Sequence, residues 1–329
     1  MSMFKLSKDD KAKILAGNVK HTARTTRDIP IVFLSFDEPN ADANWKTLQL
    51  TTPHQEVQRV HGVKGFDACH KAAAQAFPNA GYVITVDADS IVDPAFFELR
   101  LPKGIGFMSY TWGGRQFTNG LMYGNGGLKL WNTEHLMSMK SHEASNTERD
   151  EVDFCWDESQ YKELPGCYST VYTNASPYQA FRVGFREGVK LSTEAGKVIN
   201  KDNIKEIMHA ANYQRLLTWL TVGADVKNGI WSIIGARTAI RQLYFNNFDY
   251  TLIRDYEWFD EYFKSFETIT ERGMKELQDA VNEVYGFNLP ILDESASLLF
   301  KQLQLHPEKP LTYDDVHWRT NLKLFGWWQ

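Results

Sequence analysis

Cysteine is scarce in this chain: Cys69, Cys155 and Cys167 are the only three in 329 residues. An odd number at wide spacings, with no C-x-x-C pair, excludes a disulfide-stapled scaffold and a zinc-ribbon site, and fits a reducing, cytoplasmic setting. With 11 prolines and 22 glycines there is no collagen-like repeat and no low-complexity linker. No apolar run approaches the length of a membrane span. The opening MSMFKLSKDDKAKILAGNVK alternates charge with short apolar stretches, unlike a signal peptide, so no membrane partner is expected. A net charge of -5 excludes a generic nucleic-acid coat.

What remains, 43% hydrophobic and 23% charged residues, is the balance of a globular chain long enough for a full-sized enzyme core. The charge is unevenly spread. Residues 164–248 hold ten Lys/Arg against five Asp/Glu, between the acidic stretches 143–163 and 249–294. Such a basic island offers a face to an anionic partner, or else solvates helices.

Ile29–Ser35 is an apolar run opening into the turn-prone Asp37-Glu38-Pro39-Asn40, which predicts a buried strand and a loop. Val57–Val60 reads as a second strand, Phe66–Phe77 as a helix, and Tyr82–Val86 as a β-branched strand running straight into Asp87-Ala88-Asp89. Strand, loop, strand, helix, strand is a βαβ pattern. It predicts an α/β fold: a Rossmann-like, mostly parallel sheet flanked by helices, with its ligand site beyond the carboxyl ends of the strands. Further strands are expected over 106–112 and 127–131, with the glycine-rich Tyr123–Gly127 between them and a polar excursion at 143–163. From Ile204 the texture turns helical, over Ile204–Leu220, Gly229–Phe245 and Asp255–Tyr285. The expected organisation is a catalytic domain over 1–248 and a helical C-terminal extension over 249–329.

Two carboxylates one residue apart on an extended segment point the same way. Asp87 and Asp89 would then grip a divalent cation, whose hard-oxygen preference makes it Mg²⁺ or Mn²⁺ and whose charge neutralises a diphosphate leaving group. The bland alternative is a solvated loop. The arrangement resembles the nucleotide-sugar-dependent glycosyltransferases of the GT-A fold. That resemblance implies that Ser35, Asp37, Glu38, Lys64 and Asp67, with Asp87, Ala88 and Asp89, receive a UDP-sugar.

Longer stretches taken in order sharpen the likeness: Phe33–Ala41, His61-Gly62-Val63-Lys64-Gly65, Ala68–Ala73, Asp87-Ala88-Asp89, Tyr123–Leu130 and Phe185–Leu191. The series resembles the phage and kinetoplastid glycosyltransferases that modify hydroxymethylated pyrimidines in DNA, the group that includes the base J glucosyltransferase, over about residues 31–250. Within that group the phage hydroxymethylcytosine DNA arabinosyltransferases are favoured. The resemblance implies a double-stranded DNA partner carrying a hydroxymethylated pyrimidine, and the cytoplasm of an infected bacterial host.

Such an acceptor base must be exposed or flipped out to reach the donor, and its backbone must be held by cations. Arg182, Arg186 and Lys190 fall at i, i+4 and i+8, and Arg237 and Arg241 repeat the spacing, so each set would share a helix face. With Tyr123, Asn125, Gly126, Gly127 and Lys129 they form the expected acceptor side. An inverting transfer needs a carboxylate base, and Glu187 and Asp153 are the candidates. His209 and His317 leave a third metal ligand open. The competing readings are a hydroxymethyluracil acceptor, a polysaccharide or lipid-linked acceptor, and a DNA-binding module on a degenerate transferase fold.

Overall fold

The computed structural model describes residues 25–101, 108–124, 127–140, 161–194, 197–266 and 269–304. The chain divides into two compact units. The first draws its described residues from 25–114, 124–140 and 161–170, the second from 115–123 and 171–304.

The first unit is a Rossmann-like α/β sheet. In chain order it contains β1 (Ile31–Ser35), α1 (Ala41–Thr51), β2 (Val57–His61), α2 (Phe66–Ala76), β3 (Tyr82–Asp87), β4 (Ser90–Val92) and β5 (Ser109–Gln116). Next in the chain comes β6 (Met122–Tyr123), a short strand paired to β5 whose residues belong to the second unit, and then β7 (Leu128–Asn132), α3 (Thr133–Ser138) and β8 (Tyr161–Val171). The strand order is β2-β1-β3-β7-β5-β8-β4. β1 is parallel to both β2 and β3, as helical crossovers require, whereas β7 runs antiparallel to β3 and to β5. The parallel part expected from the βαβ pattern includes β2-β1-β3, and β7 pairs antiparallel on both of its sides.

All five residues of β1 are buried, which is why they read as an unbroken apolar run rather than an alternation. Ile31, Phe33, Ile84, Val86, Leu128 and Leu130 join Phe96 and Trp112 in one core. Trp131, fully buried on β7, gives its indole N–H to Thr85 Oγ1 at 2.9 Å, so the sheet buries this ring without an unpaired donor.

The second unit is helical: α4 (Pro177–Leu191), a two-strand ribbon of β9 (Thr193–Glu194) and β10 (Lys197–Val198), then α5 (Ile204–Ile207), α6 (Ala210–Thr221), α7 (Gly229–Phe245), α8 (Tyr256–Lys264), α9 (Glu271–Tyr285) and α10 (Glu294–Gln304). Ser176 starts α4 by accepting the Gln179 N–H at 3.1 Å, with Pro177 at the first helical position. Two helices expected to be continuous are broken. His209 Nδ1 accepts the Ala211 N–H at 3.3 Å and starts α6 afresh, and Thr270 Oγ1 accepts from Gly273 at 3.1 Å to start α9. The core of this unit takes residues from both sides of position 248: Phe181 and Phe185 pack with Trp258, Phe259, Tyr262, Phe263 and Phe266. Among the described residues no helix is long and apolar enough to cross a membrane.

Candidate functional site at the carboxyl ends of the parallel strands

Pairing in register brings chemistry-bearing residues to one rim of the first unit. Ser35 lies opposite His61, and Leu34 opposite Asp87, so β2, β1 and β3 all end together. β1 has β2 on one side and β3 on the other, so the strand order reverses between β1 and β3, and such a switch point is where α/β sheets place their ligands. Ser35 is 5% exposed and doubly engaged: its Oγ accepts from Arg59 Nε at 2.8 Å and lies 3.0 Å from His61 Nδ1. Arg59 also reaches Asp42 at 2.6 Å, and that hydrogen bond, with the guanidinium charge, holds the Asp42 carboxyl below its usual range. Glu38 folds back to accept the Phe36 N–H at 2.8 Å, while Asp37 and Lys64 are exposed and Asp67, in the first turn of α2, is half-buried.

Asp87 ends β3, but the chain turns at residues 88 and 89 instead of staying extended. The alternation that would aim both carboxylates alike thus stops at Asp87, and Asp89 is placed by the turn. Ala88 is buried, with its carbonyl taking the Asn44 amide at 2.8 Å, so it fixes the turn rather than facing a ligand with its side chain. Asp87 is held from the β7 side. Its N–H donates to Gly127 O at 2.8 Å, and its Oδ2 lies 3.7 Å from Lys129 Nζ. Lys129, expected among the acceptor contacts, is only 6% exposed. Gly127 is there because nothing larger fits: its φ is +67°, and a Cβ would stand 2.5 Å from Ser90 Oγ and 2.9 Å from Asp87 Cβ.

Among the described residues no group of three or more His, Cys, Asp or Glu side chains forms a metal cage. Asp87 and Asp89 still fit Mg²⁺ or Mn²⁺ by donor chemistry, since a catalytic Mg²⁺ is commonly held by one or two carboxylates and completed by water and substrate phosphates. His209 is used as a helix cap; His317 and Asp153 lie outside the described residues, as do Asn125 and Gly126.

The remaining candidates belong to the second unit and are engaged there. Glu187 accepts the Tyr123 hydroxyl on one oxygen and Lys190 Nζ, at 2.8 Å, on the other. Tyr123 also accepts from Trp219 Nε1 at 2.6 Å, and burial together with the Glu187 charge raises its hydroxyl well above the usual tyrosine range. So engaged, the Glu187 carboxylate braces Tyr123 and Lys190, with its side chain 14% exposed. Arg182 stacks on Tyr256 and Tyr178, and Arg241 pairs with Glu276 at 3.1 Å. Arg186 is half-buried, without an ion pair among the described residues.

Arg237 corrects the helix-face expectation. It is 1% exposed and donates to Leu220 O at 2.8 Å, Gln278 Oε1 at 2.6 Å and Leu289 O at 2.8 Å, so it offers nothing to a phosphate. Burial lowers its pKa to about 10. The i, i+4 spacing is real, but α7 is packed around most of its circumference, and a shared face there is not a solvent face.

Arg59 and His61 are rim residues that motif reading did not single out as site candidates. Their signal was available: two basic side chains at i, i+2 on a strand that must lie beside buried β1. Phe36, 42% exposed just past β1, is a third.

No protein-family model matches the chain, and no curated protein matches it. Among solved structures it is similar to "a glycosyltransferase involved in the glycosylation of the major capsid of PBCV-1", at 18% identity and a TM-score of 0.24. That match covers 32% of this chain and 62% of the other. The reading of the site therefore rests on the residues and their geometry.

Proposed function

We propose that this chain is a glycosyltransferase of the GT-A type that moves a sugar from a UDP-sugar, arabinose in preference to glucose, to the hydroxymethyl group of 5-hydroxymethylcytosine in DNA, in the cytoplasm of an infected bacterial host. The observation that carries the reading is the shared rim. Ser35 and Asp87 end adjacent parallel strands at the point where the strand order reverses, and Asp89 follows in the next turn. The resemblance of the ordered motifs to those of DNA-modifying transferases suggests the acceptor. Mn²⁺ or Mg²⁺ at Asp87 and Asp89 would supply the positive charge that stabilises a departing diphosphate. The chain's own part is to seat the nucleotide against the Ser35–Arg59–His61 cluster and hold Asp87 in place from β7. The acceptor oxygen bonds to the anomeric carbon as the carbon–oxygen bond to the diphosphate breaks, and the hydroxymethyl proton leaves to a base. Glu187 and Asp153 are the chain's candidates for that base, Glu187 being held by Tyr123 and Lys190.

A second reading, transfer to a carbohydrate acceptor, is favoured by one observation: much of the basic island is paired inside the second unit. Nucleoside mass spectrometry decides between them. The protein is incubated with Mn²⁺, hydroxymethylcytosine DNA and UDP-arabinose or UDP-glucose, with unmodified DNA as control. A pentose on hydroxymethylcytosine alone is the expected product. A hexose would change the sugar, and absence of transfer with the nucleotide sugar still bound would transfer support to the carbohydrate acceptor.

A further inference from the structure

Lys129 is a buried cation on the strand that flanks Asp87. In the antiparallel pairing of β3 with β7, Lys129 stands opposite Thr85, so its side chain shares a face with Asp87, two residues further along β3. Its side chain is 7% exposed and that of Asp87 43%, with 3.7 Å between Nζ and Oδ2. On its other side β5 presents Thr111, whose hydroxyl is spent on Leu128 O. The nearby His70 is held neutral by its burial and by the ammonium itself, so it adds no charge. A buried ammonium is costly unless paired, and Asp87 is the carboxylate that pairs it. Gly127 permits the arrangement, since a Cβ at this position would stand 2.9 Å from Asp87 Cβ and push its side chain aside.

We propose that Lys129 is a fixed counter-charge that makes cation binding at Asp87 conditional on the donor's diphosphate; this rests on the donor-site reading above. Asp87, Asp89 and Lys129 together carry a single negative charge. A lone dication would turn the site positive beside a buried ammonium, whereas dication and diphosphate arriving together return it to net negative. Without Lys129 the two carboxylates exactly balance a dication, and the metal binds with no nucleotide present. Lys129 acts through Asp87 and the local field, so it is a positioning residue.

The test is calorimetric titration of Mn²⁺ into the full chain, with and without saturating UDP, for wild type, Lys129→Met, Lys129→Gln and Lys129→Arg. Wild type is expected to bind Mn²⁺ weakly alone and more tightly with UDP. Loss of the charge in Lys129→Met should tighten Mn²⁺ binding without UDP by at least about tenfold, the lower bound that a unit charge acting on a dication about 6 Å away gives at the dielectric of bulk water. It should also shrink the enhancement by UDP, and Lys129→Arg should keep the wild-type coupling. Lys129→Gln gives the same readout should the methionine variant fail to fold. Unchanged Mn²⁺ affinity and UDP coupling in the uncharged variant overturn the role of Lys129 and leave the donor site standing. Wild type that binds neither Mn²⁺ nor UDP overturns both.

Discussion

His70 shows how much one buried side chain reports about its unit. It is 6% exposed on α2, meets the Trp131 ring edge-on at 5.8 Å, and its Nδ1 lies 2.8 Å from Phe66 O. Burial, then the Lys129 ammonium, lowers its pKa from the usual 6.5, against the opposing pull of the Phe66 carbonyl, Asp87 and Asp67. A base whose folded pKa is depressed stays neutral in the fold while the unfolded chain takes up a proton. Stability is therefore level above about pH 7 and falls as pH drops through 6.5, by up to about 1.4 kcal/mol per pH unit. Urea denaturation of wild type and His70→Gln at pH 7.5, 6.5 and 5.5 reads this directly. The wild-type advantage should shrink as pH falls, and a constant difference would show that His70 does not titrate as its surroundings require. Asp87 was legible in the sequence because a β-branched run led straight to it. The burial of Lys129 was not, because a lysine is ordinarily a surface residue and only the register of β7 on β3 puts this one inside.

At the scale of elements, the second unit depends on how closely α4 and α7 approach. A Cβ on Gly184 would lie 1.9 Å from Ser232 O, and one on Gly235 2.1 Å from Phe181 O, so at these positions each helix rests on the other's backbone. Gly184→Ala must force the helices apart, and overpacking of this kind costs about 3 kcal/mol. Gly273→Ala in α9 is the matched control: its nearest neighbour would be 3.5 Å away, and removing glycine from a helix gains about 0.5–1 kcal/mol. Opposite shifts of the urea midpoint are expected, and a neutral Gly184→Ala would contradict the close approach. The helices themselves were readable from periodicity, Gly229–Phe245 to the residue. Their interruptions were not, because the chain restarts at His209 and Thr270 through side-chain caps, without a proline to announce the break. The hidden close packing has the same origin: glycine in a helix reads as weakness until the partner backbone is known.

Charge is the property that belongs to the molecule as a whole, and the structure redistributes it. The basic island of 164–248 looked like a face for a polyanion, but it and the acidic stretch after it fold into the same unit and neutralise each other. Lys201 pairs with Glu283 at 2.7 Å and Arg241 with Glu276 at 3.1 Å, while Lys190 pairs with Glu187 inside the island. Arg237 is buried and Arg182 is stacked on tyrosines. A linear count could not show this, because the partners lie tens of residues apart and meet only through helix packing. At least half of the island's ten cations are thus engaged, Arg215 lying over the Tyr123 ring as well, and the consequence is measurable wherever DNA is the acceptor. Each phosphate neutralised releases counterions and adds about 0.9 to the slope of log K against log salt, so a fully available island would give a slope near −9. With half of it engaged, the slope for duplex DNA should lie near −4 or shallower, read by fluorescence anisotropy between about 50 and 200 mM salt. Arg241→Ala should barely change the slope, since its charge is already answered by Glu276, whereas Glu276→Gln should steepen it by releasing Arg241. A slope near −9 would mean that DNA displaces these internal pairs, making the acidic stretch a competitor for the site that DNA must expel.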